Sequence, residues 1–265
     1  MIPKQKLISL LKVIRKDLEV YGITQELQVP TSLSLQELNA VFVNLSLKKQ
    51  YDLIDSVVIL ERNDKVLPIV FICRNMFETY LQTALLTKVN SLEAYKSYFL
   101  YRDFAYLKAL QEEAKIVNGK QKEKIETIIK RFENTGTEKE YKELVGSFKR
   151  QLENEFPEHI KDFQKIDNNP IAWANLRFYQ IPKLIGGDVP MLYRRHYWEL
   201  SLYSHPTAEA IYQQDSLLKK KTLIVDSLIL TIHLTIWIIK ILKSDDKEIC
   251  DKMSLHMSTL VKIVE

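Results

Sequence analysis

The chain has 265 residues, 46% of them hydrophobic and 27% charged, enough to bury a sizeable globular core. Its 6 glycines and 8 prolines are too few for the many tight turns of a β-sandwich or a glycine-looped nucleotide fold. A net charge of +4 permits a nucleic-acid partner without arguing for one, and Cys73 and Cys250 stand too far apart for a disulfide framework or a cysteine metal site.

Residues 4–20 carry charges inside an apolar helical pattern, so they read as an amphipathic helix and not a signal peptide. A reducing cytoplasm is therefore the expected location. Pro30 ends that region, and Ser34 followed by Glu37 forms a capping box for a second helix running to Arg62. Residues 67–86 predict a very apolar third helix, with Pro68 tolerated in its first turn and Cys73 as a small buried hydrophobe. Asn90-Ser91 caps a fourth, aromatic-rich helix.

From 111 to 163 the composition turns to lysine and glutamate, with apolar residues every three or four positions and a turn at Asn134–Thr137. This predicts a charged helical hairpin whose mixed-sign outer faces are solvated. Short helices and turns follow around Trp173, Pro182 and Gly186, then a helix ending before Pro206. Leu223–Leu242 is nearly long enough to cross a membrane, but Asp226, His233 and Lys240 interrupt it. An ionisable group at mid-span costs about 2.5–3.5 kcal/mol, so a buried central helix is expected instead. The whole predicts an all-α multi-helix bundle, a single domain over 1–265 with the hairpin 111–163 inserted.

The helix before Pro206 holds Arg194, Tyr197, Ser201 and His205 at spacings of three, four and four, which stack on one helix face. His196 falls off that stripe and is expected to be exposed. Buried polar groups need partners, and the third helix supplies Arg74 and Glu78, four apart on one face. Glu78 could accept from Arg194 or orient His205. Arg102 and Asp103 form another candidate pair, and Asp226 and His233 share a face of the apolar helix. No HExxH, CxxC, GxSxG or phosphate-cradling glycine loop is present, so no metal or cofactor is expected.

Two segments carry a family likeness: RNMFETYL, with Arg74 and Glu78, and YWELSLYSHP, with Tyr197, Ser201 and His205. Together with Trp173 they resemble the bacterial helical proteins grouped as domain of unknown function 5677, over residues 40–240. A more distant similarity is to the HEPN-type helical ribonucleases of phage defence and toxin–antitoxin systems. Their Arg-to-His spacing of four to six is absent here, since His205 lies ten residues after Arg195 and no histidine follows Arg74.

The resemblance implies a defence or toxin-type effector with a metal-independent RNase-like or nucleotide-processing site. Catalytic residues would be His205, Arg74, Glu78 and Arg194, with Tyr197, Ser201, Arg102 and Trp173 binding substrate. Histidine suits acid–base work near neutrality and arginine holds phosphate. RNA or a nucleotide, a partner protein of the same system and a second copy in a homodimer are the expected partners. The alternatives are a non-catalytic scaffold or ligand-sensing module, and a membrane-associated protein.

Overall fold

A computed structural model describes residues 4–20, 34–63, 65–160, 179–197, 200 and 217–265, and these are helical with no strand among them. Ser34 and Glu37 close the expected capping box: the Ser34 amide donates to Glu37 Oε2 at 3.0 Å and the Glu37 amide to Ser34 Oγ at 3.3 Å. Helix α2 therefore begins at Leu35 and runs to Arg62. Helix α1 is Lys4–Val20 and α3 is Val66–Val89.

Ser91 caps α4, Leu92–Ile116, by accepting from the Ala94 amide at 3.2 Å. Helices α5 (Gly119–Asn134) and α6 (Thr137–Glu155) meet at Gly136, whose φ of 70° lies in the left-handed region that glycine adopts without strain. Short helices α7 (Pro157–Ile160), α8 (Ile181–Ile185) and α9 (Val189–Leu192) follow, then a π-helical turn Tyr193–Tyr197. Helices α10, Leu217–Leu242, and α11, Lys247–Val264, complete the described chain.

Two compact units contain these elements. The first takes Met1–Ser32, Asn39–Thr87 and Ile185–Glu265. Its core joins Leu7, Leu11 and Ile14 of α1, Ile54 and Val57 of α2, Ile69 of α3, Leu228, Ile232 and Ile236 of α10, and Met253 and Leu260 of α11. Leu223–Leu242 is one helix long and apolar enough to cross a membrane, and most of it is buried in this unit. Its aliphatic side chains thus find protein neighbours, as a central bundle helix requires. Thr83 on α3 and Ser227 and Thr235 on α10 are also buried there, their hydroxyls without a hydrogen-bond partner among the described residues.

The second unit takes Leu33–Leu38 and Lys88–Leu184. Here the charged hairpin keeps an apolar seam: Tyr141 of α6 stacks on Phe104 of α4 at 4.2 Å between ring centroids, and Val145 completes the cluster. Lys108 of α4 binds Glu138 of α6 at 2.9 Å, and Lys142 binds the same carboxylate at 2.7 Å. Both lysines hold the Glu138 carboxyl down at about 2.

Candidate functional site

The polar residues of the first unit gather where the π-helical turn meets α3. Arg74 and Glu78 lie four apart on α3, so their side chains meet, Arg74 Nε donating to Glu78 Oε1 at 3.1 Å. Tyr197 reaches across from the π turn. Its hydroxyl donates to Glu78 Oε1 at 2.9 Å and accepts from Arg74 Nη2 at 3.3 Å, with the guanidinium carbon 5.4 Å from the ring centroid. About a quarter of each charged side chain stays exposed, 26% for Arg74 and 27% for Glu78.

Aromatic rings support this clamp. Tyr193 stacks on Tyr197 at 4.7 Å between centroids, and Phe77 packs against both at 6.4 and 5.9 Å. Burial raises the Tyr193 phenol to about 12 and also raises Tyr197, where the Glu78 charge adds to the effect. Both rings therefore stay neutral across the physiological range. Burial alone would lower the Arg74 pKa, but the bond to Tyr197 and the Glu78 carboxylate outweigh it and the net shift is upward. Lys49 of α2 lies within reach of the Glu78 charge, and desolvation pulls its pKa down.

The π turn changes the expected stripe. Its hydrogen bonds run i→i+5, so residues three apart no longer stack as they do in an α-helix. Arg194 is exposed while Tyr197 turns onto α3. Glu78 is engaged by Arg74 and Tyr197, not by Arg194. His196, expected at the surface, is instead half-buried. Its neighbours are Arg195 and, on α10, Asp226 and His233; burial comes first in lowering its pKa, and the Arg195 charge adds.

Asp226 is raised by desolvation, partly offset by the charges of His196 and Arg195. Burial likewise lowers His233, opposed by a bond to the Ile229 carbonyl. The His233 ring lies 5.5 Å from Trp237, which lies 5.5 Å from Tyr80 of α3. The π turn thus carries the Tyr197 clamp onto α3, and His196 on the same turn interacts electrostatically with Asp226 and His233 of α10.

Ser201, His205 and Trp173 lie outside the described residues. Arg102 belongs to the second unit, where it bonds its neighbour Asp103 at 3.1 Å and is 89% exposed. Cys73 is buried as expected, its thiol raised to about 12 by desolvation. No group of three or more His, Cys, Asp or Glu fit to hold a metal occurs among the described residues.

Sequence spacing missed Lys49, Phe77, Tyr193 and the approach of His196 to α10. A signal existed only for Tyr193, since YRRHY places two tyrosines four apart. The triad chemistry also recurs elsewhere in this unit: Arg15, Glu19 and Tyr51 join α1 to α2, with Tyr51 donating to Glu19 at 2.6 Å and Arg15 bonding Asp55 at 3.1 Å. An Arg–carboxylate–Tyr set is therefore not itself a site signature. What distinguishes Arg74 is the stacked pair of tyrosines beside it, and the charge interactions that link the same π turn to α10.

The sequence matches the family of unknown function DUF5677 over residues 41–219, about two thirds of the chain. The chain belongs to that family. The matched span includes Lys49, Arg74, Glu78, Tyr193, His196 and Tyr197, and it ends before Asp226 and His233. Comparison with curated proteins and with solved structures gave no match.

Proposed function

We propose that the protein binds a phosphate-bearing ligand, a nucleotide or an RNA strand, at the Arg74–Glu78–Tyr197 clamp and processes it without a metal. The observation that carries this reading is the Arg74 guanidinium, held by Glu78 and Tyr197 yet left about one quarter exposed. A guanidinium held in one orientation and partly open to solvent places a fixed positive charge where a phosphate oxygen can approach. Lys49 adds a second cation, and the two tyrosines provide an aromatic surface of the kind on which bases stack.

The acid–base groups of this reading are His196 and His233, with Asp226 beside them to stabilise an imidazolium and Arg195 to offset phosphate charge. One imidazole takes a proton from the attacking hydroxyl while the other returns one to the leaving oxygen. An effector role in defence or growth control belongs to the same proposal, as do a homodimer and a partner protein.

The second reading is a ligand-sensing or purely structural module. The recurrence of the triad at Arg15–Glu19–Tyr51 favours it, because that set joins two helices.

The test is fluorescence anisotropy with a labelled oligoribonucleotide and with nucleotides, alongside gel analysis of RNA integrity. Arg74→Ala should weaken binding at least tenfold, while His196→Ala should retain binding and lose processing. Folding is checked by circular dichroism. Ligand binding without turnover would leave the sensing reading, and equal binding by the Arg74→Ala protein would remove the clamp as a site.

A further inference from the structure

Two hydrogen bonds converge on a single oxygen of Glu78. Arg74 Nε donates to its Oε1 at 3.1 Å, and the Tyr197 hydroxyl donates to the same atom at 2.9 Å. Lys49 of α2 interacts with the same negative charge. A guanidinium and a phenol aimed at one oxyanion, with an ammonium group acting on it, are the parts of an anion-binding position. Its occupant in this structure is the protein's own carboxylate.

Charge separates this set from the otherwise similar one at Arg15. Arg15 is shared by two carboxylates, Glu19 at 3.2 Å and Asp55 at 3.1 Å, so that cluster has an excess of negative charge. Around Glu78 the balance among the described residues is reversed, with Arg74 and Lys49 set against one carboxylate. An anion is repelled at the first cluster and attracted at the second.

Glu78 can also give way. Its bond to Arg74 is an i,i+4 pair with 26% and 27% of the two side chains in water, and such pairs hold weakly. Arg74 stays tethered without it, because Nη2 donates to the Tyr197 hydroxyl at 3.3 Å. The hydroxyl accepts from Arg74 and donates its own proton onward, to whichever anion stands at the Oε1 position.

We infer that Glu78 is an internal stand-in for the ligand's phosphate, and that a terminal phosphate monoester displaces it. This deepens the phosphate reading of the clamp and rests on it. A phosphodiester carries the same single negative charge as the carboxylate, so exchanging one for the other gains no charge. A monoester carries about −1.5 to −2 near neutral pH and matches the two cations. The clamp therefore takes the phosphorylated end of a nucleotide or RNA strand in preference to an internal linkage, and Glu78 sets that preference.

The experiment is calorimetric titration of the full chain with adenosine 5′-monophosphate, a monoester, and with its 3′,5′-cyclic form, a diester. It is run near pH 7.5, above the second phosphate ionisation. The parent should bind the monophosphate at least about fivefold more tightly than the cyclic form. Glu78→Gln removes the competing charge and Glu78→Ala empties the position, so each should bind the monophosphate about tenfold more tightly than the parent. Adding Arg74→Ala to either should abolish that gain. Circular dichroism checks folding, and the comparison of the two nucleotides in the parent needs no variant.

Arg74-dependent binding by the parent that is unchanged or weaker in both Glu78 variants would make Glu78 a support for Arg74. That result overturns the inference and leaves the clamp reading standing. Equal affinity of the parent for the two nucleotides overturns the inference in the same way. Absence of monophosphate binding, or binding that Arg74→Ala does not change, removes the clamp reading and this inference with it.

Discussion

Replacing Tyr197 by phenylalanine keeps the ring against Tyr193 and Phe77 and removes a hydroxyl that touches both Arg74 and Glu78. Hydrogen bonds to charged groups contribute roughly 1.5–3 kcal/mol when buried. Two features reduce that here. The Arg74 contact, at 3.3 Å, is beyond the usual N–H···O range, and both charged partners keep about a quarter of their surface in water. The direct Arg74–Glu78 bond also survives.

We therefore expect Tyr197→Phe to cost about 1.5 kcal/mol, which for a chain of this size lowers Tm by roughly 3–6 °C. Urea unfolding of the parent, Tyr197→Phe, Arg74→Lys and the double variant forms a cycle that isolates the shared contact. A coupling of at least about 0.5 kcal/mol is expected. Ligand affinity should fall about fivefold in Tyr197→Phe, equivalent to about 1 kcal/mol, because Arg74 loses one of its anchors. Additive single effects in the cycle would refute the argument, since they would mean that the hydroxyl does not hold the guanidinium.

Thr235 on α10 is fully buried and its hydroxyl has no partner among the described residues, so Thr235→Val should stabilise the protein by about 1 kcal/mol in the same urea assay. Gly136→Ala should destabilise by about 1 kcal/mol because φ is 70° there, whereas Gly146→Ala, inside α6 with open space around the added methyl, should stabilise by up to about 1 kcal/mol. The depressed Glu138 carboxyl implies stability that is present above its ordinary value near 4.5 and is lost as pH falls toward about 2. Unfolding followed between pH 5 and 2 should show Glu138→Gln losing less stability than the parent, and a difference of about 0.5–1 kcal/mol is expected for such partly exposed pairs.

The chain order of helices was legible from local chemistry. Ser34 and Glu37 form a capping box whatever surrounds them, and Ser91 caps α4 through bonds within three residues. The long apolar run of α10 and the Lys/Glu-rich periodicity of α5 and α6 likewise specify helices through contacts one turn apart. The partnership of Arg74 with Glu78 belongs to the same class, because an i,i+4 pair on one helix meets without help.

What the sequence could not supply was anything depending on the path of the backbone near residue 195. A π turn and an α-helix differ by one residue in each hydrogen-bonded ring, and the same side chains satisfy either. That difference takes Arg194 out to solvent, brings Tyr197 onto Glu78 and carries His196 toward Asp226 and His233. Local spacing thus determined the helices and the Arg74–Glu78 pair. Only tertiary packing decided which third and fourth groups join them, because those partners lie 119 residues away for Tyr197 and Glu78, beyond the reach of any periodic rule.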